Sequence, residues 1–138
     1  GRVLRFDAIS ARPDAVCAST PRAPTLGGLD LAILGLGPNG HLGFNEPPSD
    51  ASAPTRPVVL SAASLLSNAP YWAPLAVPRH AVAWGVDLRG LLELSLIVTG
   101  EHKREVLKRM LEGPRTPQLP ASYLQDAPLT VVADRAAC

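Results

Sequence analysis

The sequence predicts an α/β fold, a Rossmann-like parallel sheet with flanking helices that lacks the first βα units of a whole domain. Short apolar runs bounded by Gly or Pro alternate with helical patterns, the order typical of strands buried between helices. The clearest pair is a strand at Leu94–Val98 and, beyond Thr99-Gly100, an amphipathic helix at Glu101–Glu112. Since 138 residues suffice for one core, we interpret residues 1–138 as one partial domain.

The other strands are predicted from short apolar runs. The first, Val3–Phe6, lies almost at Gly1, so we expect a fragment, a processed product or a truncated gene model. The remaining predicted strands are Leu29–Leu36, Val58–Leu60, Ala81–Val86 and Leu129–Ala133.

The other helices are predicted from capping residues and breakers. Ser61 can cap a helix that starts at Ala62 and reaches about Asn68, where Pro70 is expected to interrupt it. A short helical turn is predicted from Asp87 or Leu88. The 15 prolines crowd into residues 13–24, 47–57, 70–78 and 114–128, which we predict to be loops or turns.

Composition disfavours several classes of protein. The net charge is +1, with 13 basic and 12 acidic residues and no basic stripe, so we expect no nucleic-acid partner. No apolar run approaches the roughly 18 residues of a membrane helix, and no leader pattern is visible, so a cytoplasmic protein is the default expectation. Two cysteines and three scattered histidines predict neither a disulfide framework nor a metal site.

The most informative segment is residues 33–48, Ile-Leu-Gly-Leu-Gly-Pro-Asn-Gly-His-Leu-Gly-Phe-Asn-Glu-Pro-Pro. It places His41, Asn45 and Glu46 in a glycine-rich loop directly after a buried strand, where α/β proteins bind ligands. Its glycines also spell the dinucleotide fingerprint G-x-G-x-x-G. That interpretation is disfavoured because Gly43 and the two prolines after Glu46 prevent a helix from starting in the loop.

His41 and Glu46 are candidates for acid–base chemistry. A histidine titrates near neutral pH, and a nearby carboxylate can fix its tautomer and stabilise its charged form. Gly43 bends the segment between them, so the two side chains could converge. An isolated pair of this kind is more often structural than catalytic.

The pattern G-x-G-P-N-G-H-L-G-F-N-E-P closely resembles the active-site loop of the glucosamine-6-phosphate deaminases. These enzymes are aldose–ketose isomerases of sugar phosphates that also release ammonia. The similarity continues through nearly the whole chain but covers only about the C-terminal half of a family domain. Its further segments are Thr55-Arg56, Leu65–Tyr71, Gly85-Val86, Ile97-Val-Thr-Gly-x-His-Lys103, Glu112-Gly113 and Ser122-x-Leu124-Gln125.

The resemblance implies roles for individual residues. His41 would open the pyranose ring, Glu46 would support it, and Asn39 would belong to the same relay. Lys103, in the family's T-G-x-x-K pattern, would bind the substrate phosphate. Gly37, Gly40 and Asn45 would complete the substrate site. No cofactor or metal is implied, the partner is a small-molecule sugar phosphate, and a homo-oligomer is left open.

Three positions depart from the family pattern. Most members compared have Asp where this chain has Asn39, an Arg where it has Pro70, and a small residue where it has Asp87. Asparagine cannot carry charge or accept a proton, and the change at 39 could signal another amino-sugar phosphate, such as the galactosamine epimer.

The family's phosphate loop and its isomerisation base lie in the half that this chain lacks. Activity of the chain alone is therefore left uncertain. Two alternatives stay open: a 6-phosphogluconolactonase-type hydrolase, whose loop shares the G-x-G-x-x-G-H core, and a truncated non-catalytic paralogue that only binds sugar phosphate.

Overall fold

The computed structural model describes residues 5, 7, 10–19, 29–85 and 91–138. Three α-helices, five strands and two 3-10 helices are found in these ranges. In chain order they are α1 (Pro13–Ser19), β1 (Leu29–Gly35), β2 (Arg56–Val59), α2 (Ala62–Trp72), β3 (His80–Ala83), β4 (Leu91–Val98), the 3-10 turn Glu101–Lys103, α3 (Arg104–Glu112), the 3-10 helix Pro120–Asp126 and β5 (Leu129–Ala133).

A three-stranded parallel sheet lies at the centre, in the spatial order β1-β4-β5. Leu29 pairs with Leu91 and Gly35 with Ile97, and β5 runs alongside from Leu94–Leu129 to Val98–Ala133. This confirms the predicted α/β fold with a parallel sheet. Because β1 and β4 are parallel and in register, the segments that follow them leave from the same edge of the sheet.

The core lies on one face of this sheet. Inward residues of β4, all almost completely buried, pack against α3 and the 3-10 helix that follows it. Alternate residues of the strands point to the opposite face, where Ile33 is 63% exposed. The buried cluster consists of Leu36, Leu42, Leu94, Leu96, Val98, Val106, Leu107, Met110, Leu119, Ala121, Leu124 and Ala137.

β2 and β3 form a separate antiparallel pair, from Arg56–Ala83 to Val59–His80. The sequence predicted both strands but placed them in the parallel sheet. Pro57 in β2 lacks an N–H to donate to a neighbouring strand, which suits a short two-stranded ribbon better than a central strand. The turn from Asp87 or Leu88 and the strand Val3–Phe6 lie outside the described residues.

Two proline positions differ from the prediction. Pro70 lies inside α2, which ends only at Trp72, so the expected interruption there was wrong. The carbonyl that loses its helical donor belongs to Leu66, which is 75% exposed and can therefore be solvated. Pro13 begins α1 instead of lying in a loop, because a proline at the first helical position loses no helical hydrogen bond.

Candidate active site

The site lies at the carboxyl edge of the central sheet. The loop 36–49 follows β1, and the segment from Thr99 to Lys103 follows β4. The two are joined directly, because the Lys103 ammonium donates a hydrogen bond to the Leu36 carbonyl, with Nζ and O 2.5 Å apart. The sequence therefore brings its two most informative motifs to the place where parallel sheets bind ligands.

Glycines let the loop fold tightly around His41. A Cβ on Gly37 would lie 2.5 Å from the imidazole ring, and Gly40 has a φ of 83° with Leu119 directly against it. The amide of Gly37 donates to the His41 carbonyl, and that of Gly40 to the Gly37 carbonyl. These glycines make room for the histidine and close the turn, and their role in substrate binding stays a prediction. No helix begins in this loop, as expected when dinucleotide binding was disfavoured.

The Nδ1 atom of His41 faces three polar side chains. It lies 2.8 Å from Asn39 Oδ1, 2.9 Å from Ser64 Oγ and 3.6 Å from Glu46 Oε2. Asn39 has its amide nitrogen directed at the Glu46 carboxylate, 2.7 Å away, and a carboxylate can only accept. The Asn39 oxygen is thereby turned to the histidine, so Nδ1 carries the proton and Nε2 is an acceptor.

The Nε2 atom of His41 makes no contact of this kind. It has no hydrogen-bond partner in the described part of the chain, although no fully buried side-chain nitrogen or oxygen there lacks one. Nε2 must therefore reach the surface of the site, while the residue as a whole is only 9% exposed. The geometry is that of an oriented imidazole with one free basic nitrogen.

Burial lowers the pKa of His41 from its usual value near 6.5, and the positive charge of Lys103 adds to this effect, whereas the Glu46 charge opposes it. The imidazole is thus neutral at neutral pH. Burial also lowers the pKa of the Lys103 ammonium.

Glu46 is held as a carboxylate by the groups around it. Burial alone would raise its pKa, but hydrogen bonds from Ser64, Asn39 and the Ser61 backbone outweigh burial and lower it, with help from His41. The Ser61 amide donates to Oε1 at 3.1 Å. Ser61 is also the N-cap of α2, so the start of this helix holds the Glu46 carboxylate in position.

Asn45 braces the loop. Its side-chain nitrogen donates to the carbonyls of Leu42 and Trp84 at 3.0 and 2.6 Å, and its oxygen accepts from Arg56 Nη1 at 2.9 Å. The same guanidinium reaches Ser49 Oγ at 2.7 Å. With both amide hydrogens used inside the protein and 3% of its surface exposed, Asn45 ties the loop to β2 and to the end of β3. Substrate binding by Asn45 stays a prediction.

Sequence reasoning missed Ser64, which is completely buried against His41. The usable signal was Ser61: a capping serine at the start of a helix accepts from the amide three residues later, here that of Ser64. Because Ser61 contacts the loop 36–49, Ser64 in the first turn of the same helix must also lie close to that loop.

The remaining predicted features fall outside this cluster. Pro70 is exposed on α2, and Asp87 lies outside the described residues. Among those residues no group of three or more His, Cys, Asp or Glu side chains could hold a metal ion. In the same ranges no helix has the length and apolarity to cross a membrane.

Comparison with known proteins finds glucosamine-6-phosphate deaminases among the relatives of this chain. Over 114 residues the chain is 46% identical to the glucosamine-6-phosphate deaminase of Rhodopirellula baltica, covering 80% of this chain and 45% of that protein. Over four-fifths of its length, the chain is thus similar to part of a glucosamine-6-phosphate deaminase. It is also 44% identical over 115 residues to glucosamine-6-phosphate deaminase 2 of Bacillus subtilis, again covering 45% of that protein. The chain thus spans about half the length of the curated relatives it matches. No family model matches it.

Solved structures agree on the fold. A monomeric glucosamine-6-phosphate deaminase of the NagB superfamily superposes with a TM-score of 0.80 and 31% identity, covering 95% of this chain and 54% of that one. The 6-phosphogluconolactonase of Trypanosoma brucei gives 0.60 at 17% identity, covering 94% and 54%. At that identity the likeness to the lactonase concerns the fold alone.

Proposed function

We propose that this chain supplies the ring-opening and phosphate-binding part of a glucosamine-6-phosphate deaminase, an isomerase that converts an amino-sugar phosphate to fructose-6-phosphate and ammonia. The observation that carries the proposal is the oriented imidazole of His41, with Nε2 free at the strand edge of a chain 46% identical to a named deaminase.

His41 would act as the acid–base group of ring opening. Opening a cyclic hemiacetal takes a proton from the anomeric hydroxyl and gives one to the ring oxygen. A neutral imidazole can do both in turn, and burial keeps His41 neutral by lowering its pKa. Glu46 and Asn39 would act through the histidine, Asn39 by holding the Nδ1–H tautomer and Glu46 by favouring the imidazolium that forms.

Lys103 would bind the phosphate. One of its three N–H groups is used by the Leu36 carbonyl, which leaves two for phosphate oxygens and fixes the ammonium beside the loop. The amide of Gly100 is already bound by the Asp134 carboxylate at 3.1 and 3.0 Å. In the described part of this chain the proposed phosphate contact therefore rests on the side chain of Lys103, and not on that amide.

The proposal concerns a reaction that this chain completes together with further residues. Interconversion of aldose and ketose also needs a base that moves a proton between two carbons, and the resemblance places that base in the half of the family domain outside this chain. We extend the proposal to a cytoplasmic enzyme, because its substrate is a charged metabolite. A homo-oligomer and the identity of the amino-sugar epimer stay predictions.

Turnover is tested by joining this chain to the half of a deaminase domain that precedes the matched region. The chain is joined to the first half of the Rhodopirellula baltica deaminase, and ammonia and ketose phosphate are measured with glucosamine-6-phosphate. We expect turnover, its loss in H41Q, and a raised KM in K103M with a smaller change in kcat. Hydrolysis of 6-phosphogluconolactone without ammonia release would contradict the proposal and favour the lactonase alternative.

Binding is tested separately with the chain as it is. Glucosamine-6-phosphate should shift the NMR signals of His41 and of the loop 36–49, whereas glucosamine, which lacks the phosphate, should bind at least tenfold more weakly. Binding without turnover in the chimera would favour the non-catalytic paralogue, and absence of both would overturn the assignment.

A further inference from the structure

The hydroxyl group of Ser64 is a buried polar group that the family resemblance did not single out. It belongs to the first turn of α2 and is 0% exposed, although serine is a residue that usually lies at the surface. A buried hydroxyl is costly unless it is hydrogen-bonded. It lies 2.9 Å from His41 Nδ1 and accepts a hydrogen bond from Ser61 Oγ at 3.3 Å. It is also one of the groups whose hydrogen bonds lower the pKa of Glu46.

His41 and Glu46 are connected through the side chain of Asn39, and they also face each other directly. Asn39 contacts both residues, but its amide oxygen accepts from one and its amide nitrogen donates to the other. The direct separation of Nδ1 and Oε2 is 3.6 Å, which is too long for a good hydrogen bond. A hydroxyl can accept from Nδ1–H and donate to a carboxylate with the same oxygen atom.

We propose that Ser64 is a positioning residue that couples Glu46 to His41, sharing the Nδ1–H hydrogen bond with Asn39 Oδ1 and donating its own O–H to the Glu46 carboxylate. Through this coupling the negative charge of Glu46 stabilises the imidazolium. The Nδ1 proton stays on His41 and the hydroxyl proton stays on Ser64. Hydrogen-bond chains of this type polarise one another in a low-dielectric site. The inference rests on the proposed role of His41 but does not require that the chain turn over a substrate.

In the described part of the chain, two charged groups shift the pKa of His41. The effect of Ser64 on that pKa can therefore be measured against a simple background. Glu46 is on the same loop, and Lys103 approaches from the segment after β4. The helix α2, which carries Ser64, has no charged residue between Ala62 and Trp72. A change at Ser64 therefore alters the connection between charges without adding or removing one.

The test is an NMR titration of His41 in the full chain, with signals assigned through H41Q. In S64A the imidazolium loses its link to the acid, so the titration midpoint should fall by about half a pH unit or more, a threefold change in the protonation constant. S64T, which keeps the hydroxyl, should stay close to the parent. S67A is the matched control, because Ser67 lies on the same helix and, in the described part of the chain, its hydroxyl bonds only the Ser64 carbonyl, at 3.2 Å.

A double-mutant cycle distinguishes coupling from two separate effects. If Ser64 transmits the charge of Glu46, the shift in S64A/E46Q should be clearly smaller than the sum of the single shifts. Additive shifts, or a midpoint in S64A equal to that in S67A, would overturn the proposal. Should S64A not fold, S64C makes the same comparison, since a thiol of similar size donates and accepts only weakly. Because the readout needs no substrate, its failure and a failure of turnover in the chimera are separate results.

Discussion

Single residues decide the chemistry of this site through their hydrogen-bonding partners. Asn39 offers His41 an acceptor because its amide group is turned by Glu46, and Gly37 lies so close to the ring that only a hydrogen fits on its Cα. The sequence suggested a histidine and a carboxylate that could converge. The structure shows that an asparagine contacts both and that a serine also contacts the histidine.

The lowered pKa of His41 makes stability depend on pH. The unfolded chain takes up a proton on this residue near pH 6.5, whereas the folded chain resists it. Protonation therefore favours unfolding, and the free energy of unfolding should fall as the pH is lowered below about 6.5. Urea unfolding between about pH 7 and pH 5.5 measures this, because Glu46, whose pKa is lowered from 4.5, loses its contribution mainly below that range.

The matching variant for this prediction is H41Q, which cannot titrate. It should lose part of the slope of stability against pH in that window, whatever its stability at pH 7. Equal slopes in the two proteins would show that His41 is not the group responsible.

Gly37→Ala should displace the His41 ring. The added Cβ would lie 2.5 Å from the ring atoms, so the ring or the loop must shift, at a cost of about 1–3 kcal/mol. Urea unfolding gives the cost, and the NMR signals of His41 report the displacement. Gly35→Ala is the control, because nothing lies within 4 Å of the Cβ that it would add. Similar losses in both variants would contradict the packing role of Gly37.

At the scale of helices and strands, the predictions that held were those set by local pattern. Leu129–Ala133 was placed to the residue, and Ser61 caps α2 as expected. Two of the errors came where tertiary context decides: Pro70 is tolerated near an exposed helix end, and β2 pairs with β3 instead of joining the parallel sheet. Strand pairing is a long-range choice that an apolar run does not encode.

One element depends on a distant side chain for its end. The side-chain nitrogen of Gln125 donates to the carbonyls of Met110 and Gly113, at 2.6 and 3.0 Å, where α3 stops. These carbonyls would otherwise lack helical partners. Gln125→Ala should destabilise the protein by about 1–3 kcal/mol.

The measurement for this prediction is again urea unfolding. Gln118→Ala is the control, because Gln118 is exposed and its side chain has no hydrogen bond among the described residues. Loss of similar size in both variants would mean that Gln125 does not support the end of α3.

The whole molecule has one covered and one open sheet face in its described part. The open face carries Leu31, Ile33, Ile97 and Val132, which are 48–63% exposed. Parallel sheets are normally covered by helices on both faces, and this chain spans about half the length of its relatives. Among the described residues, side chains cover only one of the two faces of the central sheet.

We expect the isolated chain to associate through this face at high concentration. Sedimentation velocity should show association that Ile33→Ser weakens. Leu66→Ser is the control, since Leu66 is 75% exposed but belongs to α2. Equal effects of the two substitutions, or a monomer at all concentrations, would contradict the prediction.

The hydrogen bond from Lys103 to Leu36 has a consequence for how the molecule folds. Its two residues are 67 positions apart in the chain, so the bond can form only after β1 and β4 have paired across the intervening segment. Contacts of such separation are slow to form, because a long loop must close first. The chemical environment of His41 would then report completion of folding. In a chain with its helices in place but its strands unpaired, the signals of His41 would be those of the unfolded chain.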